Sequence, residues 1–253
     1  MKVGILAGGL GTRLAGHNDK IPKPMVPIGG NPIIWHIMKG YAKYGFNHFV
    51  IALGYKSEVI KNYFINYHKI SSDLTISIED TNIELNSKTT ENWKVELLDT
   101  GLHNNTGKRV ELLTKHINEP FMLTYGDGVC NVNIDELIKF HNTHGKLATL
   151  TAVRPPARFG EVKIQNGEVI TFAEKPQTST AWINGGFFVL NPEIIDYIDG
   201  NHQWEKEPLS KITKAQQLMA FQHEGFWHCM DTPNDVRSLE SLWSSGSPQW
   251  KTW

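Results

Sequence analysis

The sequence predicts an α/β fold built on a mixed, mostly parallel sheet. Three observations lead there. Short apolar runs alternate with segments of helical spacing, a βαβα rhythm that favours parallel strands joined by right-handed crossovers. The first apolar run, Val3 to Ala7, ends in the loop Gly8-Gly9-Leu10-Gly11, where backbone N–H groups can approach a ligand closely. After Gly160 the pattern turns antiparallel around Asn166-Gly167, a hairpin signal.

Each element follows from its local pattern. Pro32 to Tyr44 has helical spacing, with Ile33, Ile37, Tyr41 and Tyr44 on one face. Phe49 to Gly54 is a short apolar run of the buried parallel type. Ser57 to Tyr67 follows as a helix, with Ser57 as its N-cap. Residues 71–94 break the rhythm; they are polar, alternate through Leu74 to Ile78, and read as strands or a mobile excursion. Val95 to Asp99 is a strand, Gly101 to Lys108 a polar loop, and Val110 to His116 a helix. Phe121 to Tyr125 is a buried strand that delivers Gly126-Asp127 at its carboxyl end. Ile134 to His144 is helical and Ala148 to Val153 a strand. Glu161 to Ile164 and Val169 to Phe172 form the hairpin. Trp182 to Leu190 is a further strand. Pro192 to Ile198, Lys206 to Gln216 and Pro233 to Trp243 are helical.

Composition narrows the function classes. The chain has 253 residues, enough to bury a large core. Twenty-five Lys plus Arg stand against 26 Asp plus Glu, so no basic excess points to nucleic acid. No apolar run is long enough for a membrane span, and Met1-Lys2 leads straight into a strand without a signal-peptide pattern. A cytoplasmic protein is the expectation. The two cysteines, Cys130 and Cys229, are not spaced as a metal knuckle or a disulfide framework. None of the 11 histidines falls in a metal-ligand spacing. Trp243, Trp250 and Trp253 crowd the end of the chain. Such aromatics either fold back or meet a partner subunit, and a subunit contact, hence a homo-oligomer, is the reading taken.

The chemistry starts at the first loop. Gly8-Gly9-Leu10-Gly11-Thr12-Arg13 is followed, nine residues on, by Lys23-Pro24-Met25. A strand, a glycine turn and two cations make a polyphosphate site at the carboxyl end of a sheet. It is not the dinucleotide fingerprint, because Leu14 stands where a third small residue is needed. It is not a Walker loop either, because His17-Asn18 replaces Lys-Ser/Thr. Arg13 has the fork to grip two phosphoryl oxygens, and Lys23 is stiffened between Pro22 and Pro24. Asp127 lies between glycines that let a hydrated ion come near, and its hard oxygen suits Mg²⁺.

The string GGLGTR, nine residues, then KPM resembles the signature of the sugar-phosphate nucleotidyltransferases. Tyr125-Gly126-Asp127-Gly128, Glu174-Lys175-Pro176, Asn184-Gly185-Gly186-Phe187 and Met230-Asp231-Thr232 occur in that family's order. Asp99-Thr100-Gly101, Arg158-Phe159-Gly160, Trp182 to Val189 and the ending Trp250-Lys251-Thr252-Trp253 are similar to its glucose-1-phosphate cytidylyltransferase branch. The likeness covers essentially the whole chain.

The resemblance implies a single domain over residues 1–253, a three-layer αβα Rossmann-like nucleotidyltransferase fold with a small antiparallel sugar-binding portion. Residues 1–130 are then mainly nucleotide-binding. Residues 131–253 mainly bind the sugar phosphate and carry a C-terminal helix and tail. It implies CTP and a sugar 1-phosphate as partners, with Mg²⁺ as cofactor. Catalysis falls to Arg13, Lys23 and Asp127, with Arg13 on the β- and γ-phosphates. The nucleotide is held by Leu6, Ala7, Gly8, Gly9, Gly11, Thr12, Arg13, Lys23, Thr106, Arg109 and Gly126. The sugar phosphate is held by Glu174, Lys175, Asn184 and Gly185. The metal is held by Asp127 and Asp231. One departure stands out: the branch usually shows Thr-Gly-Gly-Arg where this chain has Thr106-Gly107-Lys108-Arg109. Lys108 either alters the loop's path, since a side chain disfavours positive φ, or adds a phosphate contact.

Overall fold

The computed structural model describes residues 1–11, 21–86, 91–155, 160–173 and 181–253. Seven strands form one sheet: β1 (Val3–Leu6), β2 (His48–Leu53), β3 (Lys94–Asp99), β4 (Phe121–Tyr125), β5 (Ala148–Val153), β6 (Ile183–Leu190) and β7 (Leu218–His223). Their order across the sheet is β7-β5-β6-β4-β1-β2-β3. β1 runs parallel to both β2 and β4, with Leu6 opposite Ala52 on one side and Tyr125 on the other. β6 is the antiparallel member, between β4 and β5.

Alternating side chains of these strands feed two cores, one on each face, which makes three layers. Ile5, Ile51, Met122 and Val189 face one core, with α1 (Ile33–Ala42), α2 (Ser57–Ile65), α4 (Ile134–His144) and α6 (Pro233–Ser244). Leu6, Val50, Leu123 and Phe188 face the other, with α3 (Thr106–Ile117) and α5 (Glu207–Lys214). β1 is buried at every residue, as expected of a strand with parallel neighbours and both faces covered. From β1 the chain builds outward to β2 and β3, then returns to the far side of β1 as β4. The crossovers diverge there, and a crevice opens above the carboxyl ends of β1 and β4.

Several elements differ from the sequence reading. Ser57 is the first helical residue of α2; the cap is Lys56, in the left-handed region at φ 50°. α3 begins at Thr106, so Thr106 to Arg109 are its first turn. Lys108 is therefore helical, and its ammonium pairs with Glu111 at 2.7 Å. Residues 71–94 contain an antiparallel ribbon, Leu74–Ile76 with Ile83–Leu85. The segment from Pro192 to Tyr197 is a 3₁₀ helix. β7 escaped the sequence reading, and it pairs parallel to β5 rather than antiparallel. The hairpin forms as expected, Glu161–Gln165 with Glu168–Ala173. Asn166 and Gly167 both take positive φ, as a two-residue turn of type I′ requires.

The C-terminal tryptophans correct the expected subunit contact: they fold back. Trp250 is 1% exposed and stacks near Phe226, Trp243 and His36, while Trp253 meets Trp35 edge-on. His36 is also buried; it donates from Nε2 to the Ile28 carbonyl at 2.8 Å and accepts the Trp250 indole N–H at Nδ1. Among the described residues no helix is long and apolar enough to cross a membrane.

Candidate active site

The crevice is a cleft of about 1540 Å³ lined by Leu6 to Gly11, Lys23, Gly126, Asp127 and Asp231, among others. Its floor is the glycine loop. Gly8 and Gly9 differ in what requires them. A Cβ on Gly8 would stand 2.3 Å from Arg109 Nη1, whereas a Cβ on Gly9 would meet nothing within 4 Å. The fold requires the first glycine; the second leaves room on the cleft side.

Arg109 lies under this loop, 2% exposed. Its guanidinium donates to the carbonyls of Leu53 at 2.8 Å and Gly8 at 3.0 Å, and to Thr100 Oγ1 at 2.5 Å. It thus ties the loop after β1 to the ends of β2 and β3. Burial lowers its pKa, opposed by Asp99. These donors go to protein acceptors, so the guanidinium braces the loop at the cleft that Arg109 also lines.

Lys23 enters from a 3₁₀ turn, Lys23–Met25, that Pro22 caps and Pro24 stiffens. Pro24 packs on Gly126, where a Cβ would sit 3.0 Å from both Pro24 Cγ and the Leu6 carbonyl. The Lys23 ammonium lies 2.5 Å from Asp127 Oδ2 and 2.5 Å from Asp231 Oδ1. Burial alone lowers its pKa. The field of Asp127 and the hydrogen bonds to both carboxylates outweigh that, and the pKa ends above the usual lysine range.

Asp231 reaches Asp127 by a device the sequence did not announce. Gly128–Cys130 and Trp227–Cys229 form a short antiparallel ribbon, continued by the Met230 amide donating to the Asp127 carbonyl at 2.8 Å. The following helix, α6, opens with a capping box between Thr232 and Asp235. Asp235 Oδ2 also accepts the Asp231 amide at 3.0 Å. Both carboxylates are therefore set by backbone.

The oxygens of Asp127 and Asp231 and the Cys229 sulfur lie within 4.8 Å of one another. Burial and the neighbouring carboxylates push the Cys229 thiol up, and its soft sulfur does not match a hard cation. What remains is two hard oxygen donors, already drawn around one positive charge. That donor set fits a divalent cation of the Mg²⁺ kind.

On the opposite wall, Asn184 accepts the Gly186 amide at 2.9 Å, and the Gly185 carbonyl accepts the Trp227 indole N–H at 2.7 Å. A Cβ at Gly185 would sit 2.9 Å from the Thr151 carbonyl. Thr106 stands at the cleft rim, hydrogen-bonded to Glu205 at 3.0 Å. Tyr125 and Glu205 were not among the sequence candidates; their hydroxyl–carboxylate pair is made across 80 residues and left no local pattern. Thr12, Arg13, Glu174 and Lys175 lie outside the described residues, as do Arg158 and Phe159. The structure thus brings together Leu6 to Gly9, Gly11, Lys23, Thr106, Arg109, Gly126, Asp127, Asn184, Gly185 and Asp231 around one cleft.

Comparison with known proteins finds relatives over the whole chain. A family model described as nucleotidyl transferase matches residues 2–248. The chain is 51% identical, over 100% of both chains, to glucose-1-phosphate cytidylyltransferase of Salmonella typhi. It is 41% identical, again over 100% of both, to a probable glucose-1-phosphate cytidylyltransferase of Bacillus subtilis (strain 168). Among solved structures, HddC from Yersinia pseudotuberculosis superposes with a TM-score of 0.70 at 25% identity, covering 96% of this chain and 99% of that one.

Proposed function

The chain belongs to the nucleotidyl transferase family, and from that premise we propose that it transfers a cytidylyl group from CTP to α-D-glucose 1-phosphate, giving CDP-glucose and pyrophosphate. The observation that carries the chemistry is the meeting of Asp127, Asp231 and Lys23 at the switch-point cleft. The full-length likeness to named cytidylyltransferases supports the choice of CTP and glucose 1-phosphate.

A phosphate monoester is already an anion at neutral pH, because its second pKa is about 6. Its oxygen attacks the α-phosphorus directly. The bond from α-phosphorus to the bridging oxygen breaks, and pyrophosphate leaves with that electron pair. No general base is therefore required. The difficulty is to bring two polyanions together in line. The glycine-loop amides receive the triphosphate, and Lys23 neutralises charge where the two substrates meet. Arg13 is proposed to grip the leaving phosphates, and Glu174 and Lys175 to hold the acceptor beside Asn184 and Gly185. Asp127 and Asp231 would hold Mg²⁺, which when bound supplies charge neutralisation at the reacting phosphates.

A triphosphate donor places the reaction in the cytoplasm, and the activated sugar made there would serve polysaccharide assembly. We also propose a homo-oligomer. The hairpin presents Val162, Ile164, Val169 and Phe172 on one face, between 51% and 65% exposed. The ribbon at 74–85 likewise exposes Leu74, Ile76, Ile83 and Leu85. Two uncovered apolar ribbons are more than a monomer's surface ordinarily carries, and light scattering on the purified chain tests for the second copy.

Pyrophosphate release with glucose 1-phosphate and Mg²⁺, run in parallel with CTP, UTP, dTTP and GTP, tests the nucleotide. Release with CTP well above the others is expected. A clear preference for another triphosphate keeps the chemistry and removes CTP.

A further inference from the structure

The cleft wall carries a carboxylate that the phosphate chemistry does not use. Glu205 lies in the turn before α5, exposed and bordering the cleft. One of its oxygens accepts from the Tyr125 hydroxyl and the other from Thr106 Oγ1 at 3.0 Å. Both donors are themselves fixed. Tyr125 closes β4 and is mostly enclosed. Thr106 opens α3 and accepts the Trp204 amide at 2.8 Å. The carboxylate is thus held from two sides of the cleft by elements that also carry the phosphate site.

A carboxylate offers about four acceptor positions. Tyr125 and Thr106 fill two, and the exposed side chain keeps the others open. An anion repels phosphate, so this part of the cleft is built for a portion of the substrate that is not phosphate. A nucleoside triphosphate and a sugar phosphate each carry ring hydroxyls, and a carboxylate is a strong acceptor for hydroxyl donors. Glu205 also stands between the two halves of the cleft. Thr106 is on the nucleotide side. Tyr125 borders Asn184 on the acceptor side.

We propose that Glu205 is a specificity-determining residue that accepts hydrogen bonds from ring hydroxyls of a bound substrate, with Tyr125 as the positioning residue that aims it. The inference rests on the nucleotidyl transfer proposed above. It adds a recognition element that neither the glycine loop nor the carboxylate pair supplies. Burying a hydroxyl against a fixed acceptor discriminates strongly against an analogue that lacks it, because the acceptor is then left unpaired.

The test compares the wild-type chain with Glu205→Gln and Tyr125→Phe. CTP is set against its 2′-deoxy and 3′-deoxy analogues, and glucose 1-phosphate against its 2-, 3-, 4- and 6-deoxy analogues. Expected is a wild-type preference of about 10²-fold or more in kcat/KM for one hydroxyl. Glu205→Gln reduces that preference at least about tenfold, by losing the parent substrate and not the deoxy analogue. Tyr125→Phe moves it the same way by less. The substrate in which the preference falls tells whether ribose or hexose supplies the hydroxyl. Preferences unchanged in both series, or a uniform loss against every substrate, overturn the role of Glu205 while the reaction stands. No pyrophosphate from the wild type with CTP and glucose 1-phosphate overturns the reaction, and this inference with it.

Discussion

Asp127 and Asp231 meet across a single ammonium group, with Lys23 Nζ 2.5 Å from an oxygen of each. Two carboxylates brought this close need a cation between them. Asp127→Asn and Asp231→Asn should each lower kcat by at least about 10²-fold. The Mg²⁺ concentration for half-maximal rate should rise, and the melting temperature should stay near that of the parent. Steady-state kinetics across a Mg²⁺ series reads the first two and thermal unfolding the third, and near-parental activity in either variant removes that carboxylate from the metal site.

Arg109 should behave as a keystone rather than a substrate ligand. Arg109→Lys keeps the charge but cannot span the acceptors on Gly8, Leu53 and Thr100. A stability loss of about 1–3 kcal/mol is expected, together with a raised KM for the nucleotide as the loop loosens. Denaturant unfolding beside initial rates checks this. A large kinetic defect with undiminished stability would instead put the guanidinium on the substrate.

The neighbouring glycines should separate fold from function. Gly8→Ala forces a methyl into Arg109 and should cost about 1–3 kcal/mol. Gly9→Ala meets open space in the protein, so stability should hold. Gly9 lines the cleft, so the added methyl should crowd a triphosphate bound on the loop and raise the nucleotide KM about tenfold or more. Equal behaviour of the two variants would contradict this division.

Acid should loosen the C-terminal aromatic cluster. Burial holds the His36 pKa below its ordinary 6.5. The unfolded chain then binds a proton that the folded chain refuses, so stability present above pH 6.5 falls as pH drops further. His141, His144 and His223 shift in the same direction. His36→Gln should therefore flatten, not abolish, the decline of melting temperature below pH 6.5. Scanning calorimetry across that range measures the slope, and an unchanged slope rules His36 out as a contributor.

Much of this was legible in the sequence because it depended on local pattern. Phe121–Tyr125, Ile134–His144 and Ala148–Val153 follow from apolar periodicity alone. The glycine loop and Asp127 are marked by small residues at a strand's end. What local pattern could not give was pairing across distance. The ribbon joining Gly128–Cys130 to Trp227–Cys229 is short and half-buried, so neither alternation nor a long apolar run betrays it. β7 is only partly buried at the sheet edge, with a correspondingly weak signal. Thr106 to Lys108 read as the end of a polar loop, whereas they open α3. In the structure Gly107 is there for contact, its Cβ position lying 2.7 Å from the His202 carbonyl. Glu205 was invisible for the same reason as the ribbon, since its partners Thr106 and Tyr125 lie far away in sequence.

The most direct test of the central claim is a ³¹P NMR time course of the purified chain with CTP, α-D-glucose 1-phosphate and Mg²⁺. The account predicts loss of the glucose 1-phosphate and triphosphate signals, matched one to one by a sugar-nucleotide diphosphate and free pyrophosphate. Orthophosphate with CDP, or CMP with unconsumed glucose 1-phosphate, would mean that a different bond breaks or that water is the acceptor. Either result would contradict nucleotidyl transfer at this cleft.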